Sequence, residues 1–237
     1  MDYESFLDLV KKRRSIRSFK ADPVADSDIE KIIEAARWAP SGFNLQPWEF
    51  VVIKDTEIKE KIIGFIREGM SMMGKMEAAR ESWQGSKPQK KASPPMPGFA
   101  KAPVFIILFG DRRTRVGLPM VHRYNDQSWE RTFTSGLASA FLYMHLAATS
   151  LGLASQWVSM VSQPVPHCMI KHLLGIPDPL KIYDMMAIGY SDMEPKPKIL
   201  RDRKDIHHQD YCGEEDFMTD KDVNEFIYKI RNPQPAS

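Results

Sequence analysis

The segment Ser128–Ser150 constrains the fold most. It reads as one long helix in which Phe141, Leu142, Met144, Leu146 and Ala147 leave almost no polar face. A helix of that kind has to be covered by other parts of a core. Ser135, Gly136, Ala138, Ser139 and Ala140 are small enough to let another helix approach closely. Gly152 followed by Leu153 has the glycine-then-hydrophobic form of a Schellman cap. Leu153–Val161 then leaves as a strand or extended turn. A chain of 237 residues with 43% hydrophobic content can bury such a helix in one large domain or two small ones.

Around it, apolar spacing predicts helices over Tyr3–Lys12, Asp26–Trp38, Thr56 to about Trp83, Pro166–Leu174 and Thr219–Ile230. Asp26 or Ser27 can cap the second of these, and Thr219 or Asp220 the last. Strands are expected over Trp48–Lys54, Val104–Phe109 and Lys181–Tyr190. Val51, Val52 and Ile53 suggest burial on both faces. Asp111–Asn125 is polar and irregular. Gln84–Pro103 carries five prolines together with Lys87, Lys90 and Lys91. It is too long and too proline-rich for a regular connection. Core-like strands lie on both sides of it, so it is an excursion from one domain spanning 1–237. Helices and strands alternate irregularly with few hairpin signals, which gives an α+β or α/β domain with a modest sheet.

Charge and cysteine content exclude several functions. The formal net charge of +2 offers no global field for nucleic acid or an anionic membrane. The apolar runs are too short to cross a bilayer, and the polar start Met-Asp-Tyr-Glu-Ser shows no secretory signal. Two distant cysteines, Cys168 and Cys212, fit a reducing compartment, and the expected location is cytoplasmic. Cys168 and His172 stand at i and i+4 of a helix, but two residues make no metal site. Gly-x-Gly-x-x-Gly, P-loop, His-Glu-x-x-His and Gly-x-Ser-x-Gly motifs are missing. If the chain is an enzyme, a bound cofactor carries the chemistry.

Two stretches hold candidate binding chemistry. Arg13-Arg14-Ser15-Ile16-Arg17 packs three arginines into five positions. It reads either as a solvated basic turn or as an anion clamp whose guanidinium forks match phosphate oxygens. Ala36–Phe50 breaks a helix at Pro40 and passes Ser41, Gly42, Asn44 and Gln46 before entering a strand. It reads either as a plain connection or as a loop that brings backbone and amide groups to a ligand. Met70, Met72, Met73 and Met76 form a soft apolar surface suited to core packing, a lid or a substrate.

These pieces, with Gly152-Leu153-Ala154-Ser155-Gln156-Trp157-Val158, resemble the nitroreductase family of FMN-dependent oxidoreductases. The resemblance covers most of the chain. It implies an α+β fold with a central, mainly antiparallel sheet flanked by helices. It also implies a homodimer with FMN at the subunit interface and the long helix in that interface. Arg13, Arg14, Ser15 and Arg17 would bind FMN, Arg13 at the phosphate and Arg17 near N1 and O2 of the ring. Pro40, Ser41, Gly42, Asn44 and Gln46 would come from the partner subunit. Trp157, Val158, Ser159 and Met160 would lie beside the ring, with backbone N–H groups near N5 and O4. Lys198, Arg201 and Arg203 would share the phosphate. Members often carry glycine or glutamate where Ser159 and Met160 stand.

The implied reaction takes hydride from NADH or NADPH and reduces a small acceptor such as a nitroaromatic, quinone or enone by a ping-pong mechanism. No side chain acts as nucleophile or metal ligand, because flavin N5 carries the chemistry. A cation about 4 Å from an anion is worth roughly 4 kcal/mol at an effective dielectric near 20, so an arginine beside N1 favours reduction. The alternatives are reductive dehalogenation or flavin fragmentation on the same fold, a non-catalytic FMN carrier, and a basic binding module built on Lys87, Lys90 and Lys91.

Overall fold

The computed structural model of the chain describes residues 2–78, 95–195, 197–210 and 212–232. The chain divides into two compact units, Met1–Glu194 and Pro195–Ser237. In order along the chain, the first unit contains helix α1 (Tyr3–Lys12), helix α2 (Asp26–Arg37), strand β1 (Trp48–Ile53), helix α3 (Thr56–Ala78) and strand β2 (Val104–Asp111). It continues with helices α4 (Met120–Arg123) and α5 (Asp126–Ser150), strand β3 (Ala154–Val158), helix α6 (Pro164–Leu174) and strand β4 (Leu180–Gly189).

The four strands form one sheet in the order β1-β2-β4-β3, with every pair antiparallel. β2 is central, which is why Val104–Phe109 is buried throughout. Its side chains alternate between the two faces. Ile106 and Leu108 join Met186 and Ile188 under α2 and α5, in a cluster with Ile29, Ile32, Leu137 and Phe141. Phe105, Ile107 and Phe109 face the other way, towards Ile62 and Ile66 of α3 and Ile170 of α6. The result is a three-layer α+β sandwich with helices on both faces of an antiparallel sheet.

The expected burial of β1 on both faces is not met. β1 is an edge strand, with Glu49 and Val52 exposed. α2 starts as expected but is capped from Ala25 with no side-chain bond, because the Asp26 carboxylate is taken by Lys54. The stretch Asp111–Asn125 is less irregular than its composition suggests. It holds a 3-10 turn at Arg112–Gly117 and the short α4, tied by Arg115 to the Arg123 carbonyl and to Asp126. The end of the proline-rich excursion is also regular. Gly98–Lys101 is a 3-10 turn that buries Phe99 against Phe105. Residues 79–94, with Trp83, Lys87, Lys90 and Lys91, lie outside the described residues.

α5 runs through the middle of the first cluster and ends in a full Schellman motif. Leu153 N–H donates to the Ala148 carbonyl at 2.9 Å, and Gly152 N–H to the Thr149 carbonyl at 3.1 Å. Gly152 sits at φ +74, where glycine carries no Cβ penalty. The expectation that α5 is covered all round holds on one side only. Arg131, Ser135 and Leu142 remain exposed on the side turned away from the sheet. The small residues also serve a different neighbour. A Cβ on Gly136 would come 3.1 Å from Ser41 Cβ and 3.8 Å from Pro47 Cδ, so Gly136 seats a loop rather than another helix.

β4 carries an irregularity. Leu108 pairs with Asp184, but the next residue, Phe109, pairs with Ile182. Tyr183 is therefore the extra residue of a β-bulge and turns towards the first cluster, packing edge-on to Phe141. Of the four methionines, Met70 packs half-buried against the second cluster, whereas Met72, Met73 and Met76 are exposed.

The second unit contains 3-10 turns at Arg203–Asp205 and Glu214–Asp216 and the helix α7 (Asp220–Arg231). Thr219 and Asp222 close a capping box on α7, as its sequence suggests. Neither α7 nor α1 buries any residue, despite a clear apolar stripe on each.

Candidate functional site

After α1 the chain runs extended, as the alternation of polar and apolar residues predicts. Ile16 N–H donates to the Ser155 carbonyl at 2.9 Å, and Ser15 bridges to Ser155. Further on, Lys20 N–H donates to the Tyr190 carbonyl at 2.8 Å. Ile16 and Phe19 are buried, which leaves Arg13, Arg14 and Arg17 pointing away from the core along the rim of β3. Gly98 backs this segment: a Cβ there would lie 2.2 Å from the Arg17 carbonyl oxygen. The proline-rich excursion thus returns directly against the arginine segment.

Among the described residues, no carboxylate pairs with Arg13, Arg14 or Arg17. The flanking lysines are paired, Lys12 with Asp8 at 2.7 Å and Lys20 with Asp192 at 2.6 Å. Partial burial, and then the charge of Arg14, hold Arg13 below the ordinary arginine range. A half-buried cation beside another cation, with no internal anion, is an electrostatic deficit that an external anion relieves.

Val158, Ser159 and Met160 stand at the end of β3, three to five residues beyond Ser155, so the structure brings them onto the strand that the arginine segment borders. Val158 is buried, and Ser159–Ser162 makes a 3-10 turn closed by Ser162 Oγ donating to the Ser159 carbonyl at 2.7 Å. α3 lies against this turn through its bare Gly69, where a Cβ would meet Pro166 Cγ at 2.8 Å and Met160 Cε at 3.8 Å.

Beneath β3 lies a buried polar chain. His145 of α5 places Nδ1 2.8 Å from Ser155 Oγ and stacks on Trp157, with 5.5 Å between centroids and 9° between planes. Its Nε2 is buried without a partner. Burial, and then the Arg13 charge, push His145 down to about 3, so the imidazole is neutral. On the other side of Trp157, the indole Nε1–H donates to Asp184 Oδ2 at 2.5 Å. Burial pushes that carboxyl up to about 6.

The loop after α2 is strained. Phe43, Asn44 and Gln46 have φ of +55, +52 and +47, which non-glycine residues adopt at a cost. Two contacts over-determine it. Ser41 Oγ accepts Gln46 N–H at 3.0 Å, and Gly42 sits where a Cβ would be 2.4 Å from Thr132 Cγ2 of α5. Pro40, Asn44 and Gln46 are exposed. A hollow of about 330 Å3 is lined by Asn44 and Gln46 with Glu34, Arg37, Trp38 and Ala39. The loop is seated at Thr132 and Gly136, whereas the arginine segment is anchored near His145. The nine residues from Gly136 to His145 span about 14 Å of helix. Within one chain, the two groups of candidate residues are therefore apart.

Lys198, Arg201 and Arg203 lie in the second unit, all exposed. Arg201 Nη2 donates to the Asp205 carbonyl at 2.7 Å. A polar hollow of about 860 Å3 within that unit is lined by Arg201 together with Lys204, His208, Cys212, Asp222 and others. No group of three or more His, Cys, Asp or Glu among the described residues is placed to hold a metal, and no helix among them is long and apolar enough to cross a membrane.

Sequence reasoning missed His145, Ser155, Asp184 and Gly98. Two left a signal: His145 is the one imidazole in the apolar stretch Phe141–Ala148 of its helix, and Asp184 interrupts the run Tyr183-Asp184-Met185-Met186. Gly98 left none, because its neighbour Arg17 is remote in sequence.

The fold agrees with comparison to known proteins. Residues 10–190 match the model of the Nitroreductase family. The chain is 31% identical over 199 residues to iodotyrosine deiodinase 1 of Rattus norvegicus, covering 80% of this chain and 63% of that protein. It spans less than two thirds of that relative's length. It is 26% identical over 205 residues to the iodotyrosine deiodinase of Thermotoga neapolitana, covering 86% of this chain and 97% of that one. Among solved structures, an FMN-dependent nitroreductase of Clostridium difficile superposes with a TM-score of 0.61 at 25% identity, covering 86% of this chain and 99% of the other. The chain belongs to the nitroreductase family.

Proposed function

We propose that this protein is an FMN-dependent oxidoreductase that takes hydride from NADH or NADPH and reduces a small acceptor by alternating use of one site. The observation that carries the proposal is the bare arginine segment: three guanidinium groups with no carboxylate partner among the described residues, fixed to β3 beside Val158–Met160. The residues fit the cofactor. Arg13 and Arg14 offer the planar forks that a phosphate dianion takes bidentately, and Ser15 adds a hydroxyl. Arg17 supplies positive charge for the pyrimidine side of the ring. The backbone N–H groups of the Val158–Met160 stretch supply donors for its other edge. When bound, FMN supplies the hydride-accepting N5 and releases electrons to the acceptor, so the chain needs no nucleophile of its own.

In this reading the active form is a homodimer. Pro40, Ser41, Gly42, Asn44 and Gln46 of one protomer complete the site whose arginines come from the other. The separation of the two groups along α5 and the exposed stripes of α1 and α5 support that arrangement, because each would be covered by a second copy. Lys198, Arg201 and Arg203 add long-range attraction for the phosphate.

The test is equilibrium binding of FMN followed by anaerobic stopped-flow mixing with NADH and with NADPH. Tight binding, and bleaching of the flavin band by at least one nucleotide, is expected. A protein that binds FMN but is bleached by neither would refute the NAD(P)H oxidoreductase reading. A second reading is favoured by the similarity to iodotyrosine deiodinases: reductive removal of halide from an aromatic substrate. Iodide release from iodotyrosine, measured beside nitroaromatic and quinone turnover, separates the two.

A further inference from the structure

Among the described residues, Asp184 is the only buried carboxylate. No lysine or arginine among those residues is ion-paired with it. Isolating an acid in this way costs stability, and a hydrophobic residue would pack there more cheaply. What the carboxylate adds is a strong acceptor, and the two groups beside it are informative. Trp157 Nε1–H donates to it at 2.5 Å, and the Ser162 hydroxyl, which donates to the Ser159 carbonyl, lies within its reach. Trp157 stands just before the Val158–Met160 stretch, and Ser162 closes the turn that follows it. The bulge at Tyr183 is what swings this part of β4 out of regular alternation beneath the turn.

We propose that Asp184 is a positioning residue for the turn Ser159–Ser162, gripping it through Trp157 on one side and Ser162 on the other. The inference rests on the reading that this turn faces FMN. Asp184 does not touch the cofactor in this scheme. It sets where the backbone donors of Val158–Met160 stand.

The grip depends on protonation. Ser162 has one hydroxyl proton, and its oxygen is 2.7 Å from the Ser159 carbonyl. With Asp184 protonated, the carboxyl O–H donates to Ser162 Oγ, and Ser162 goes on donating to Ser159. With Asp184 ionised, the hydroxyl turns to the carboxylate and the Ser159 carbonyl loses its donor. The titratable groups around Asp184 are Tyr183 on its own strand, pushed up to about 12 by burial and then by Asp184, and the neutral His145 of α5, reached through the stacked Trp157 ring. Burial places the Asp184 transition near pH 6.

The experiment compares wild type with Asp184→Ala, Asp184→Asn and Ser162→Ala. Tryptophan fluorescence of the apoprotein is followed against pH, and FMN affinity and the visible band shape of bound FMN are measured at pH 8. Wild-type apoprotein is expected to show a fluorescence transition near pH 6 that Asp184→Asn abolishes. Asp184→Ala is expected to weaken FMN binding by about tenfold and to alter the band shape, and Ser162→Ala to do so by about threefold. Asp184→Asn, which keeps an acceptor for the indole, is expected to restore most of the affinity. Wild-type affinity and spectrum in both Asp184→Ala and Ser162→Ala would overturn the positioning role alone. If Asp184→Ala does not fold, Ser162→Ala and the loss of the transition in Asp184→Asn decide the matter. Failure of wild type to bind FMN would overturn the flavin reading itself, and the positioning role with it.

Discussion

Two basic segments compete for the role of anion site, Arg13–Arg17 and Lys198–Lys204. By charge they are nearly equal, with three arginines in the first and Lys198, Arg201, Arg203 and Lys204 in the second. By environment they are opposites. The first is hydrogen-bonded to β3, backed by Gly98, half-buried at Arg13 and Arg14, and free of carboxylate partners among the described residues. The second interleaves Asp202 and Asp205 with its cations, and Arg201 already donates to the Asp205 carbonyl. Cation density alone does not make a binding site. What distinguishes the first segment is that much of the desolvation has already happened on folding, and no carboxylate among the described residues compensates for it.

The sharpest way to break this comparison is Arg13→Ala. Removing two charge-assisted hydrogen bonds to a phosphate, each worth roughly 1.5–3 kcal/mol, should weaken FMN binding by about a thousandfold. Calorimetric titration measures it, and an unchanged Kd would mean the bare arginines serve another purpose.

Next in size is a pH effect that tests how the first segment is tied to the core. His145 holds Ser155, whose carbonyl anchors Ile16. Its pKa is about 3 in the folded chain against 6.5 unfolded, so the unfolded chain binds a proton first. Stability is therefore lost as pH falls below 6.5, by about 3 kcal/mol at pH 4. Asp184 works the other way. With a folded value of about 6 against 3.8 unfolded, its contribution is greatest below pH 3.8 and is lost as pH rises through 6, again by about 3 kcal/mol. Between pH 4 and 6 the two slopes oppose each other. Replacing His145→Gln should leave the Asp184 slope uncovered, so that urea melts at pH 4, 5 and 6 show the variant losing stability as pH rises relative to wild type.

A smaller effect is expected from Gly98→Ala. The new methyl would meet the Arg17 backbone carbonyl, which cannot swing aside as a flexible side chain would. A destabilisation of about 1–3 kcal/mol follows, read as a fall in Tm, with FMN affinity declining in parallel. Arg17→Ala should be milder still: a midpoint potential for bound FMN lower by about 30 mV, equivalent to about 1.4 kcal/mol, with the FMN affinity less affected than in Arg13→Ala.

Much of this was readable from residues alone, where the information is local. The helices, the Schellman glycine after α5, the capping box at Thr219 and the extended run after α1 all follow from patterns spanning fewer than ten residues. The arginine cluster and the Pro40–Gln46 loop were legible as candidates for the same reason. What stayed hidden is what depends on neighbours remote in sequence: that no carboxylate among the described residues reaches Arg13, that Gly98 lies on Arg17, that Gly136 seats Ser41, and that a bulge at Tyr183 carries Asp184 under Trp157. The amphipathic stripe of α1 was visible, but nothing local says whether one chain can cover it. α2 buries Ile29, Ile32 and Ala36, whereas α1 buries nothing.

The smallest predicted effect gives the comparison its finest test. Arg201→Ala and Arg203→Ala should each change FMN affinity by no more than about threefold, because exposed charges in water contribute between zero and about 1 kcal/mol. That residual effect should fade as salt is raised and the Debye length shrinks below about 8 Å, whereas the loss in Arg13→Ala should persist at high salt. If Arg201→Ala proves as damaging as Arg13→Ala and equally insensitive to salt, the second segment must exchange its bond to the Asp205 carbonyl for one to the ligand. Solvent exposure in the free chain would then be a poor guide to which arginines bind.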